Sequence, residues 1–148
     1  MTVYSGRGTQ TVAAKTALTV ISAATIRPRI KKLSGKNIGV VTVDSQIEVQ
    51  LSRFTAAGTT TPVTPVATDS GDPASTLTMG SNATVEPTYT SNTLEASLIF
   101  NPRGKDEWTP YDGTADIVLP ATAANGLGGL LVTLGGGTTI VVTADVQQ

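Results

Sequence analysis

The chain has 148 residues, a formal net charge of −1 at pH 7, 39% hydrophobic and 14% charged residues, and neither cysteine nor histidine. That length suits one domain and leaves no room for a second independent core. The missing Cys and His exclude disulfides, thiolate chemistry, the commonest zinc and copper ligands, and the Ser-His-Asp and Cys-His arrangements.

The near-neutral total conceals a division. All seven basic residues of the first 43 positions (Arg7, Lys15, Arg27, Arg29, Lys31, Lys32 and Lys36) precede the first acid, Asp44, whereas the remainder carries three basic residues against eleven acids. Asymmetry of this kind concerns contacts more often than chemistry. Aromatic residues make up only 4% of the chain, so a core of Val, Ile, Leu and Ala is expected, as thin as the space between two stacked sheets. No apolar run reaches the length of a membrane helix, and Met1 to Gln10 is polar and unlike a signal peptide. The chain therefore reads as soluble and not exported by a cleaved leader.

In chain order, residues 1–14 show no periodicity and contain Ser5-Gly6-Arg7-Gly8, which reads as an extended N-terminal arm. Residues 15–148 read as one β-sandwich domain. Leu18, Val20 and Ile21 mark a strand. Ile26, Pro28 and Ile30 then alternate with Arg27, Arg29 and Lys31, giving one aliphatic and one cationic face. Pro28 cannot donate to a ladder, so this strand is expected at an edge or broken there. A turn near Ser34-Gly35-Lys36-Asn37 precedes Val40, Val41 and Val43, and Ile47 to Ser52 alternates cleanly. Ala56 to Ser75, with Pro62, Pro65 and Pro73, reads as a long Thr/Pro-rich loop. Leu77 and Met79 suggest a short strand, Thr84 to Thr93 an irregular stretch, and Leu94 to Phe100 another strand ending at the Asn101-Pro102-Arg103-Gly104 turn. Ile117-Val118-Leu119 follows, stopped by Pro120. Leu130 to Leu134 and Ile140 to Val146 read as a hairpin across Gly135-Gly136-Gly137. About eight short strands without an amphipathic helix define an all-β, antiparallel β-sandwich or jelly-roll-like fold.

Few constellations carry chemistry. Asp69-Ser70-Gly71-Asp72 and Asp112-Gly113-Thr114-Ala115-Asp116 offer oxygen ligands around a glycine, but the further acids of a calcium loop are absent, so both read as turns. Gly126 to Gly129 and Gly135 to Gly137 match neither a Walker loop nor a dinucleotide fingerprint and also read as turns. No metal, cofactor or small-molecule substrate is expected. Glu107, Trp108 and Tyr111 could stack a sugar, although a lone Trp is more often a core plug or an interface anchor. Arg27, Arg29 and Lys31 on one strand face, with Lys32 and Lys36, could be a solvated face protecting an edge, a dock for an acidic protein surface, or a nucleic-acid site. No aromatic residue lies among these charges to stack a base, and the rest of the chain is acidic. The expected partner shifts accordingly from nucleic acid to an acidic protein, including another copy of the chain. The protein-interface residues expected from this reading are Arg7, Lys15, Arg27, Arg29, Lys31, Lys32 and Trp108.

The Thr59 to Val66 stretch running on to Gly71-Asp72-Pro73-Ala74, the Phe100-Asn101-Pro102-Arg103-Gly104 turn with Glu107-Trp108, and the closing glycine segment together resemble small β-sandwich structural proteins of tailed-bacteriophage virions, most of all head decoration (cement) proteins. The resemblance implies a non-enzymatic subunit, trimeric, made in the host cytoplasm and placed on the capsid surface, where it bridges major capsid proteins. It implies no membrane and no nucleic-acid partner, and it transfers no catalytic or binding residue. On this reading the arm orders on a neighbouring subunit or on the shell. The competing reading from another class is a tail-associated carbohydrate- or receptor-binding module that recognises its ligand through loops and Trp108.

Overall fold

The computed structural model describes residues 1–110 and 116–148. Among them are twelve strands and no helix, arranged as two six-stranded antiparallel sheets. The expected Asp112-Gly113 turn, and Tyr111 of the possible sugar platform, lie outside the described residues.

The first sheet runs β10 (Ile117–Val118), β3 (Arg29–Asn37), β12 (Ile140–Gln147), β1 (Val3–Gln10) and β6 (Val66–Ala67), with β9 (Lys105–Trp108) also paired to β3. The second runs β5 (Thr59–Val63), β7 (Thr78–Val85), β2 (Lys15–Ile21), β11 (Gly126–Thr133), β4 (Ile47–Ala56) and β8 (Thr88–Phe100). Period-two alternation puts Ile140, Val142, Ala144 and Val146 of β12 and Ile47, Val49 and Leu51 of β4 into the buried layer between the sheets. Leu18, Val20, Leu33, Leu98, Phe100, Leu127 and Leu131 complete it.

The expected N-terminal arm is a strand. Val3 to Gln10 pairs with β12 along its whole length and with β6 at Tyr4 and Ser5, and Tyr4, Gly6, Gly8 and Gln10 are buried. The glycines that suggested flexibility serve close packing instead. A Cβ on Gly6 would run into the Met79 sulfur, and one on Gly8 into the Ala17 carbonyl of the other sheet. The Tyr4 hydroxyl donates to Pro73 O at 2.9 Å. The Gln10 amide donates to Thr16 O while its oxygen accepts from Thr11 N and Val12 N, closing the corner into β2.

Other expectations are corrected in the same way. The Thr/Pro-rich segment contains β5 and β6, both at sheet edges, where Pro62 does not break a ladder. The strand expected to lie at an edge or to break at Pro28 does break there, since β3 begins at Arg29, but β3 is an inner strand flanked by β12 on one side and by β9 and β10 on the other. The expected turn at Ser34 to Asn37 is the second half of β3, and Val40, Val41 and Val43 lie in the connection to β4. Thr84 to Thr93, expected irregular, largely belongs to β7 and β8. Gly126 to Gly129 is part of β11, in the middle of the second sheet. Leu130 to Leu134 and the last strand do not form a hairpin, because β11 and β12 belong to different sheets and Gly135, at φ +56°, lets the chain cross between them.

The second sheet is strongly curled. Only Ala57 and Gly58 join β4 to β5, which lie four inter-strand steps apart in the sheet order. Flat, that separation would be about 19 Å, whereas the link reaches about 11 Å. Glu86 and Pro87 span the same number of steps between β7 and β8, and a Cβ on Gly58 would meet Val85 O and Glu86, so the two links lie against each other. Curling buries a second, smaller set of side chains on the far face of this sheet. The Phe54 ring lies over Gly126, the Tyr89 ring over Gly128, and the two rings meet edge to face at 6.4 Å between centroids. A Cβ at Gly128 would press on the Tyr89 ring, and one at Gly126 would meet both the Phe54 ring and the Val20 carbonyl.

Candidate functional site

The cationic residues of β3 sit beside acids brought from distant parts of the chain. Lys31 Nζ is 2.6 Å from Asp116 Oδ2, and Arg29 Nη1 is 3.6 Å from the same oxygen. The Asp116 side chain is only 3% exposed, so low dielectric strengthens both attractions. Lys32 Nζ is 2.9 Å from Glu107 Oε2, and that hydrogen bond, together with the charges of Glu107 and Asp145, raises the lysine above its ordinary value. Lys15 lies 3.8 Å from Glu86. Four of the expected interface cations are thus paired within the chain. Arg7 and Arg27 are exposed and, among the described residues, have no ion-pair partner. Arg27 also falls outside β3, so the expected row of three cations on one strand face does not form.

Trp108 is half-buried in β9, opposite Leu33, and packs against the main core. Its neighbour Glu107 is engaged with Lys32. The structure therefore gives this tryptophan a packing role against the core.

The Thr16 hydroxyl forms hydrogen bonds with Glu86 Oε2 at 2.5 Å and with the Tyr89 hydroxyl at 2.7 Å, while the same carboxylate accepts from Thr16 N. Burial pushes the Tyr89 phenol up to about 12, outweighing the Thr16 hydrogen bond, and the Glu86 charge adds to the rise. Each group in this set is held by another, so the cluster ties the β7–β8 link to the sheet. Among the described residues no group of three or more acidic side chains is placed to hold a metal, and no helix is long and apolar enough to cross a membrane.

Two surface features remain that reading the sequence alone missed. The first is the β3–β4 connection, in which Ile38, Val40 and Val43 are 52%, 71% and 62% exposed. It is firmly anchored. The Asn37 side-chain oxygen accepts from Gly39 N, Thr138 N and Thr139 N, and its amide donates to Gly39 O and Pro102 O. Ile38 N donates to Thr139 O, Thr42 N donates to Gly136 O at 2.8 Å, and the Thr138 hydroxyl donates to Val40 O. Exposed Val12, in the β1–β2 turn, belongs to the same end of the sandwich, since Gln10, Ile140 and Asn37 are aligned across β1, β12 and β3. The run of β-branched residues in the connection mimics a strand, which hid it; the one usable signal was Asn37-Ile38-Gly39, where Asn and Gly favour a turn.

The second feature is a mostly apolar groove of about 320 Å³ on the outer side of the first sheet, lined by Ser5, Gly6, Arg7, Val63, Thr64, Val66 and Thr143. Val66, 67% exposed, forms its rim, and Arg7 is its one charged wall residue. Beside Asn37, Lys36 stands directly opposite Lys105 across the β3–β9 ladder; both are exposed and, among the described residues, neither has an acidic partner. Like charges facing each other on adjacent strands are unfavourable until an anion covers them.

No protein-family model matches the chain, and no match was found among curated proteins or solved structures. The class is therefore defined by the fold itself: a two-sheet antiparallel β-sandwich that carries an aliphatic end and an apolar groove.

Proposed function

We propose that the chain is a non-enzymatic structural subunit of a phage virion, a decoration or cement protein that binds the outer face of the capsid as a closed homo-oligomer, with a trimer favoured. The observation that carries the reading is the anchored end bearing Ile38, Val40, Val43 and Val12 in water. A fixed loop that exposes several aliphatic side chains together is what a protein contact requires, because no ordering cost remains and apolar area is available to bury. Arg7, Arg27, Lys36 and Lys105, which have no ion-pair partner among the described residues, suit an acidic protein surface. The N-terminal segment is a core strand, so the role expected of a flexible arm passes to the loop end. Each contact should bury at least ~1,000 Å².

Co-sedimentation with purified capsids of the encoding phage, prepared without this protein, tests the reading. Saturable binding at a fixed ratio to the major capsid protein, with a higher temperature of shell disruption, is the expected result. Capsids that pellet without the protein at every concentration would overturn it.

A further inference from the structure

We infer that copies of the chain join head to tail, the aliphatic β3–β4 loop of one copy seating in the apolar β1–β6 groove of the next. The inference rests on the subunit reading above and names the surfaces through which copies meet. A loop that presents Ile38, Val40 and Val43 and a groove walled by Val63 and Val66 are complementary in chemistry, one convex and the other concave. The groove volume stands at the lower end of the ~300–1,000 Å³ range of pockets that take ligands, which suits a short run of side chains rather than a large molecule.

The loop cannot reach the groove of its own chain. It leaves β3 at Asn37, aligned with Gln10 of β1, whereas the groove lies at Ser5 to Arg7, and β12 runs between β3 and β1. The offset is about 10 to 17 Å along the strands and about 10 Å across them, while the loop is tied to Gly136, Thr138 and Thr139, just before the start of β12. An occupant from this sequence must therefore come from a second molecule.

Charge selects that molecule. The loop is flanked by Lys36 and Lys105, and the strand that rims the groove leads directly into Asp69 and Asp72, which, among the described residues, carry no ion pair. Conversely, Arg7 in the groove wall has no acidic partner among the described residues, and exposed Asp44 follows the loop, where it holds Arg103 at 3.4 Å. Docking places the lysines near the aspartates and Arg7 near Asp44, opposite signs in both directions. Because the two surfaces differ, the contact is heterologous and generates either a ring or an open filament.

The absence of native cysteine makes cross-linking a clean test. In a chain carrying both Val40→Cys and Val66→Cys, oxidation should give a covalent ladder or one closed ring, whereas either single variant should remain uncross-linked. Sedimentation equilibrium at low ionic strength should show wild-type association weakened at least ~10-fold by Val40→Asp, the scale of a modest interface hot spot. Val40 is exposed, so this substitution leaves the core untouched. A wild type that stays monomeric at all concentrations, a Val40→Asp variant that associates like wild type, single-cysteine variants that cross-link as well as the double one, or a double variant that does not cross-link would each overturn the inference. A monomer that still binds capsids would refute only this contact; assembly without capsid binding would refute only the subunit reading.

Discussion

Lys31 Nζ in β3 lies 2.6 Å from Oδ2 of Asp116, the residue just before β10 and 85 positions away in sequence. This pair, with Arg29 on the same carboxylate, turns the charge division of the sequence into an internal clamp between the start of β3 and β10. Asp116→Asn keeps the shape but removes the charge from a nearly buried position. It should cost ~1–3 kcal/mol, below the cost of breaking a fully buried pair because both cations remain partly in water. Arg29→Ala, at an exposed position, should cost less than ~1 kcal/mol. Urea unfolding midpoints check both, and an unchanged midpoint for Asp116→Asn would contradict the clamp.

The close approach of β1 to the second sheet gives a second expectation. Gly8→Ala drives a methyl into the Ala17 backbone and should destabilise by ~1–3 kcal/mol. Gly71→Ala, in an open turn, should stay within about 0.5 kcal/mol. Deleting residues 1–10 removes β1 from between β12 and β6 and should abolish the cooperative thermal transition. A truncated chain that melts like the full one would restore the dispensable arm.

The third expectation concerns alkaline pH. Tyr89 is raised to about 12 by burial, so folding favours the neutral phenol. Its stabilisation is complete below the ordinary tyrosine value near 10 and is lost as pH rises through about 12. Two units correspond to about 2–3 kcal/mol. Lys32, also raised, acts with the same sign, since the folded state favours its charged form and that preference fades above 10.5. The melting temperature of the wild type should fall steeply between about pH 10 and 12, and that of Tyr89→Phe less so. Equal falls in both proteins would remove Tyr89 from the account.

Much of the architecture was legible without coordinates. The alternation in Ile47 to Ser52 and Ile140 to Val146, the lack of any helical stripe and the turn residues define an all-β sandwich, and β4 and β12 bury the residues that period two assigns to the core. The errors share one cause. Ser5-Gly6-Arg7-Gly8 and Gly126 to Gly129 suggest what glycine permits locally, a flexible arm or a turn, whereas each stands in a strand where another layer or an aromatic ring excludes a Cβ. Likewise Val40, Val41 and Val43 have strand chemistry but no neighbouring strand, because Asn37 and the β11–β12 crossing hold that backbone elsewhere.

The opening cluster of positive charge was visible as composition, and so was the exclusion of thiol and imidazole chemistry. Which of those charges are consumed and which remain was decided only by tertiary structure. Arg29, Lys31 and Lys32 find Asp116 and Glu107 because β9 and β10 both pair with β3, while Arg7, Arg27 and Lys36 are left facing water. Periodicity along one strand determines which side of a sheet a residue faces. Which residue faces it depends on strand order, and strand order is set by contacts between segments far apart in the chain.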